Sequence, residues 1–218
     1  MKKLNFFPAI LALGLFVTSC GDGGTSKKAD DTANAEDNKK QEETHEPVTM
    51  VANADESRVQ WAGTLVGVYT HEGYVPVNNG ELTVEGSKVT GGEFTIDMST
   101  IIPTDEHYKP EEGKGKEKLV GHLQDEDFFF VSEYPKAHFK VTGHNTETNE
   151  LMGVATIRGV EGEEIIKDVK INPETGEATG HLVIDRTKYN VAFSHPAEDM
   201  VVSDEIDLKI SLKMNPKS

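Results

Sequence analysis

The chain has 218 residues and a formal net charge of −16, from 22 Lys and Arg against 38 Asp and Glu. So acidic a surface repels phosphate backbones and anionic headgroups, which argues against nucleic-acid binding and against a basic membrane patch. A single cysteine excludes an intrachain disulfide, and the length suits one domain.

The N-terminus reads as an export leader. Lys2 and Lys3 form a positive n-region, Leu4 to Phe16 a mostly apolar run, and Thr18 and Ser19 lead into Cys20. The run is shorter than the about 20 residues that span a bilayer, and its order is that of a signal peptide. Val17-Thr18-Ser19-Cys20 has the form of a lipobox: small residues fit the peptidase, and the thiol suits thioether attachment of diacylglycerol. Residues 1–19 are therefore expected to be removed and Cys20 lipidated. Two or more acyl chains on Cys20 are needed for stable membrane anchoring. Gly21 after Cys20 favours the outer membrane as the address of an envelope lipoprotein.

Residues 20–47 are expected to be the lipidated Cys and a disordered acidic tether. From Gly21 onward this stretch has no aromatic and no branched aliphatic residue, so it cannot bury enough surface to offset the entropy of ordering. As a flexible coil it would span on the order of 30 Å.

Residues 48–218 form the expected folded domain, and their texture is short period-2 alternation. Val59, Trp61 and Leu65 share one face of a strand, as do Phe94, Ile96 and Met98. Phe139 with Val141, Ile165 with Val169 and Ile171, and Leu182 with Ile184 repeat the pattern. The last run is the clearest, with Ile206, Leu208, Ile210, Leu212 and Met214 alternating with polar residues. Asn78-Asn79-Gly80, Glu85-Gly86-Ser87 and Asn172 to Gly176 are turn signals. Only Gly115 to Gln124 looks helical, with Leu119, Val120 and Leu123 on one side. About eight one-sided strands predict an antiparallel sandwich or a closed barrel, which alternation alone does not distinguish.

Four segments in order resemble the YceI-like family. They are Ser57-Arg58-Val59-Gln60-Trp61 with Gly80 to Val84 and Gly91 to Met98; then Gly121-His122-Leu123 to Phe129 with Glu133-Tyr134-Pro135; then Ala155 to Val160 with Asp168-Val169; and Ile184-Asp185-Arg186-Thr187-Lys188-Tyr189. The resemblance implies an eight-stranded antiparallel lipocalin-like β-barrel with one short helical insert, all-β in class. It also implies a non-enzymatic protein whose apolar tunnel holds a polyisoprenoid or an isoprenoid quinone. The inward residues would line that tunnel: Trp61 and Leu65; Phe94, Ile96 and Met98; Leu123 and Phe128; Phe139 and Val141; Ile157; Val169 and Ile171; Leu182 and Ile184; and Ile206, Leu208, Ile210 and Leu212. The same residues would equally fill a dry core, leaving a protein that binds a partner through its loops. Two loops depart from the family pattern. Thr104 to Lys118 is long and charged, a lid or a solvated loop, and Glu161 to Glu164 stands where a hairpin is usual.

No motif argues for catalysis, a metal or another cofactor. The eight histidines form no HxxxH or HExxH pair, and no second Cys completes a zinc site. His71, beside Glu72, is the histidine expected nearest the barrel mouth, and His122 is expected to satisfy backbone groups near Phe128 and Phe129. Asp97 and Asp185, within apolar strands, predict an Asp–Arg pair with Arg186 in the barrel wall. Phe128-Phe129-Phe130 is expected to cap the barrel.

Overall fold

The computed structural model describes residues 46–109, 111, 115–194, 197 and 200–217. The expected leader, Cys20 and all but the end of the expected tether lie outside the described residues, as do His45 and His195. The strands are β1 (Val48–Ala52), β2 (Arg58–Leu65), β3 (Tyr69–Pro76), β4 (Asn79–Glu85), β5 (Lys88–Asp97) and β6 (Ile102–Pro103). After helix α1 (Lys116–Gln124) come β7 (Lys136–Asn145), β8 (Glu150–Ile157), β9 (Val160–Asn172), β10 (Glu177–Asp185) and β11 (Val202–Pro216).

β11 closes the sheet. On one edge it pairs antiparallel with β10, from Asp185–Glu205 to Glu177–Lys213. On the other it pairs first with β2, from Val202–Leu65 to Ser211–Arg58, and then with β1, from Ala52–Met214 to Met50–Pro216. β1 in turn pairs with β4, which opens the run β4-β5-β7-β8-β9-β10-β11. β1 and β2 therefore form one stave, and β3 and β4 the next. Eight antiparallel staves close into a barrel, so the choice between sandwich and barrel falls to the barrel. The break in the first stave is stitched to β11. Asn53 N–H and the Ser57 hydroxyl donate to Lys213 O at 2.7 and 3.1 Å, and Lys213 N–H donates to Ser57 Oγ at 3.0 Å.

Three local expectations change. Asn78-Asn79-Gly80 is a kink within a stave, because β3 and β4 follow the same two-part neighbour, β2 and β1. The turn that follows Ile157 is Arg158-Gly159, both at positive φ (49° and 73°), so Glu161 to Glu164 belong to β9 instead. Ile165 is exposed while Ile166 is buried. Asp168 sits at φ 53° where the β9–β10 register shifts, and this bulge carries Val169 and Ile171 back to the inner face. The Glu85 to Ser87 and Asn172 to Gly176 turns form as expected, with Gly86 and Gly176 at positive φ.

His144, on β7, ties that strand to β5 by accepting the Val89 N–H at Nδ1, 3.0 Å away. Burial, helped by the charge of Lys88, lowers its pKa from 6.5. Protonation would put a second donor against Val89 N–H, so the folded state resists the proton more than the unfolded chain does. Stability is then full above pH 6.5 and falls as pH drops from there through the folded pKa. Urea midpoints measured between pH 8 and pH 5 should decline below that point, and His144→Asn, which keeps an acceptor but does not titrate, should flatten the decline.

Candidate ligand cavity

A cavity of about 140 Å³ lies inside the barrel. Small inward residues create it: Ala137 on β7, Ala155 on β8, and Ala178 and Gly180 on β10 leave room between the larger side chains. Glycine also shapes the wall. A Cβ at Gly80 would collide with the Phe94 ring, one at Gly153 with the Phe139 ring, and one at Gly73 with the Trp61 indole. Each aromatic therefore folds over a neighbouring strand's glycine and lies along the sheet instead of crossing the lumen.

The sequence-predicted residues divide into two groups. Phe94, Ile96, Phe139, Ile157, Val169, Ile171, Leu182, Ile184, Leu208, Ile210 and Leu212 line the cavity. Trp61, Leu65, Met98, Leu123, Phe128, Val141 and Ile206 do not. Val141 is buried midway along β7, and Leu65 and Ile206 are buried where β2 ends and β11 begins. Trp61 is inward, one alternation beyond the lining residue Val59. Val77, Leu82, Leu151 and Ile166 line the cavity without having been expected to, as does Val59, which the alternation had placed on the face of Trp61. For Ile166 the bulge hid the signal, and for the alanines and glycines small size did. His138 and Thr179 also border the cavity, but their side chains are exposed on the alternate face.

Met98, Leu123 and Phe128 close one end of the barrel. β6 lies on the edge of β3 through Gly73–Pro103 and Tyr74–Ile102, and α1 packs on β6. The chain after α1 folds back, with Phe129 N–H donating to Leu123 O and Val131 N–H to Gln124 O. Phe128 is buried, edge-on to Phe129 at 4.9 Å and to His122 at 5.4 Å, whereas Phe130, the third residue of the expected cap, packs edge-on to Tyr134 and under Arg158. His122 serves that cap as a ring, edge-on to Phe193 at 4.3 Å. Among the described residues its polar contact is with the Asp127 carboxylate, 3.5 Å from Nδ1, and not with the backbone groups expected.

The expected wall pair is absent. Asp97 and Asp185 each cap a 3₁₀ turn, accepting the backbone N–H and hydroxyl of Ser99 and of Thr187. The hydroxyl bond first, then the N–H, holds each carboxyl below its usual range. The buried Arg186 guanidinium instead donates to Ser203 O, Val191 O and the Asp204 carboxylate.

The long insert is pinned by Asp105. Thr104 N–H donates to Glu72 O at 2.8 Å, extending the cover of the β3 edge. The Asp105 carboxylate is 6 % exposed and receives the Tyr108 hydroxyl at 2.6 Å and the N–H groups of Glu72 and His107 at 3.1 and 3.0 Å. His71 Nδ1 lies 3.2 Å from both carboxylate oxygens. Burial pushes the Asp105 pKa up, but the four hydrogen bonds outweigh it and hold the group below its ordinary value, hence ionised. Tyr108 stacks on His71, Lys116 Nζ lies over the Tyr108 ring, and Tyr69 is edge-on to His71. The insert is thus a strap fastened to β3, at least through Tyr108. Among the described residues no group of three or more His, Cys, Asp or Glu could hold a metal.

Residues 50–214 match the YceI-like domain. The chain belongs to the YceI-like family. BcnA of Burkholderia cenocepacia is similar in structure at a TM-score of 0.52, with 19% identity over 74% of this chain and 98% of that one. A polyisoprenoid binding domain from Saccharophagus degradans, implicated in plant cell wall breakdown, gives a TM-score of 0.50 at 9% identity, over 79% and 100% of the two chains. No curated protein matches. At these identities the neighbours speak for the fold: this YceI-like chain has the family's closed antiparallel barrel.

Gly80→Ala tests the wall. Its Cβ would displace the Phe94 ring, and we expect a loss of about 1–3 kcal/mol in urea denaturation, typical of overpacking.

Proposed function

We propose that the barrel binds the chain of an isoprenoid-type lipid, a polyisoprenoid or an isoprenoid quinone, for carriage or storage and without chemical conversion. The observation that carries this reading is the lining: among the described residues no polar side chain points into the cavity, which draws on eight strands and on Val77. Burial in such a space gains about 0.8 kcal/mol per CH₂-sized group, so a tail binds without polar contacts. Membership of the family and the name of the Saccharophagus neighbour support the same ligand class. A space of about 140 Å³ is comparable to one that accepts a benzene-sized group, so a longer chain enters only as lining side chains move.

The second half of the proposal is the membrane. Cys20 carries the acyl anchor, and residues after it hold the barrel near the bilayer from which the lipid comes, at the outer membrane of the cell envelope. Replacing Cys20 by Ala should shift the protein from the membrane fraction to the soluble fraction and abolish labelling by a fatty-acid probe. Unchanged fractionation would refute the anchor.

One observation favours a different role, a filled barrel that docks a protein partner. Val66, Val68 and Val201 are exposed, the last at 60 %, around the contact of Val66 N–H with Val201 O. Leu208→Trp separates the readings, because Leu208 lines the cavity but none of the exposed surface. Native mass spectrometry of the full chain should show prenyl lipid in the wild type and at least a tenfold loss in the variant, the order expected if the space for a few CH₂ groups is filled. Wild-type protein that takes up no prenyl lipid or quinone would sink the binding function.

A further inference from the structure

Two polar side chains lie in line with the apolar cavity. Gly73 and Val75 are buried on one face of β3, and alternation puts His71 and Tyr69 on that face as well. Trp61 is the cross-strand partner of Gly73, over which its indole folds, and it pairs on its other side with Leu208. Leu208 and Val59, its neighbours across and along the sheet, line the cavity. At about 3.4 Å per residue, the levels of Trp61 and His71 are about 7 Å apart along β3.

The chemistry of the two groups is complementary. Trp61 Nε1 is buried with no hydrogen-bond partner among the described residues, an unfavourable state for a donor unless something accepts from it. Asp105 is ionised and can only accept, so the proton on His71 sits on Nδ1. In the neutral imidazole that tautomer makes Nε2 an acceptor. The His71 side chain is 19 % exposed where Asp105 is 6 %, so the side of the ring away from the carboxylate is reachable. A donor, and beyond it an acceptor, thus follow the lining residues Val59 and Leu208 in succession along the inward face of β2 and β3.

We propose that Trp61 and His71 form a head-group subsite that selects isoprenoid lipids bearing a hydroxyl: a prenol, or the reduced, hydroquinone form of a quinone. The tail lies in the cavity, the hydroxyl donates to His71 Nε2, and a head-group oxygen accepts from Trp61 Nε1. Asp105 is a positioning residue, which sets the His71 tautomer and is itself held by Tyr108, Glu72 and His107. This rests on the reading of the barrel as an isoprenoid binder.

The test compares farnesol, farnesyl methyl ether and the matching hydrocarbon on the full chain. Trp61 is the only tryptophan, so its emission reports binding in the wild type directly, and native mass spectrometry serves the variants. Farnesol should bind about tenfold tighter than the ether, the order expected for one hydrogen bond in a dry site. His71→Phe should bring farnesol down to the ether, while His71→Gln, which keeps an acceptor, retains part of the preference. Trp61→Phe should weaken both oxygenated ligands relative to the hydrocarbon. A role confined to fastening the strap would change urea midpoints and leave the alcohol-to-ether ratio alone. Equal wild-type affinity for alcohol and ether, or a ratio that survives His71→Phe, overturns the subsite while leaving the lipid-binding function intact. Binding of none of the three overturns the subsite together with the function beneath it.

Discussion

The rest of the structure depends on β11 being paired along both edges. Its fifteen residues meet β10 on one side and, on the other, β2 and then β1. A strand paired on both sides has no edge to protect, and its alternation commits Ile206, Leu208, Ile210, Leu212 and Met214 to the interior. Every register inside the barrel is counted from that row. The stitch of Asn53 and Ser57 to Lys213 carries β11 across the break between β1 and β2, where the pairing register shifts.

Closure alone would give a filled barrel, and the interior is decided by size. An eight-stranded barrel has room for about one layer of side chains or one slender ligand. Here the three large aromatics Trp61, Phe94 and Phe139 are laid over glycines, and alanines stand between the aliphatic residues. Folding the rings against the wall moves their bulk out of the lumen. The same contacts explain why glycines occupy strand positions where their backbone freedom would otherwise be a cost.

The fold was largely legible because alternation reports it directly. The last strand, the helical insert and two hairpins follow from period and turn chemistry, and the ordered family segments selected the barrel. What failed did so for identifiable reasons. A bulge at Asp168 exchanged Ile165 for Ile166, a change of phase that no local pattern records. Asn78-Asn79-Gly80 has hairpin composition, but whether the chain reverses there depends on partners 18 residues away before it, Arg58 for Pro76, and 30 away after it, Val51 for Glu81. Of the candidate lining, the strand-borne aliphatics were readable, whereas the contributions of Ala155, Ala178 and Gly180 are ones of absence. Met98, Leu123 and Phe128 were rightly taken as apolar and interior, but periodicity does not tell a plug from a wall. His71 was expected near the mouth. The buried Asp105 that orients it comes from an insert whose charge read equally as a lid or a solvated loop.

The cavity also bears on why the interior is left incompletely filled. At about 24 cal/mol per Å³ of residual cavity, about 140 Å³ corresponds to roughly 3 kcal/mol of forgone stability. That is a large share of the 5–15 kcal/mol typical of a domain. Recovering it needs no new architecture, since methyl or propyl additions at Ala137, Ala155 or Ala178 would occupy the space. A barrel that only scaffolds loops has no reason to carry such a deficit. A barrel that must admit and release an apolar chain does, because a core packed to full density would have to expel its own side chains at every loading. The fastened strap fits the same logic, since it covers the β3 edge with main-chain bonds and one ionic cluster instead of more apolar packing.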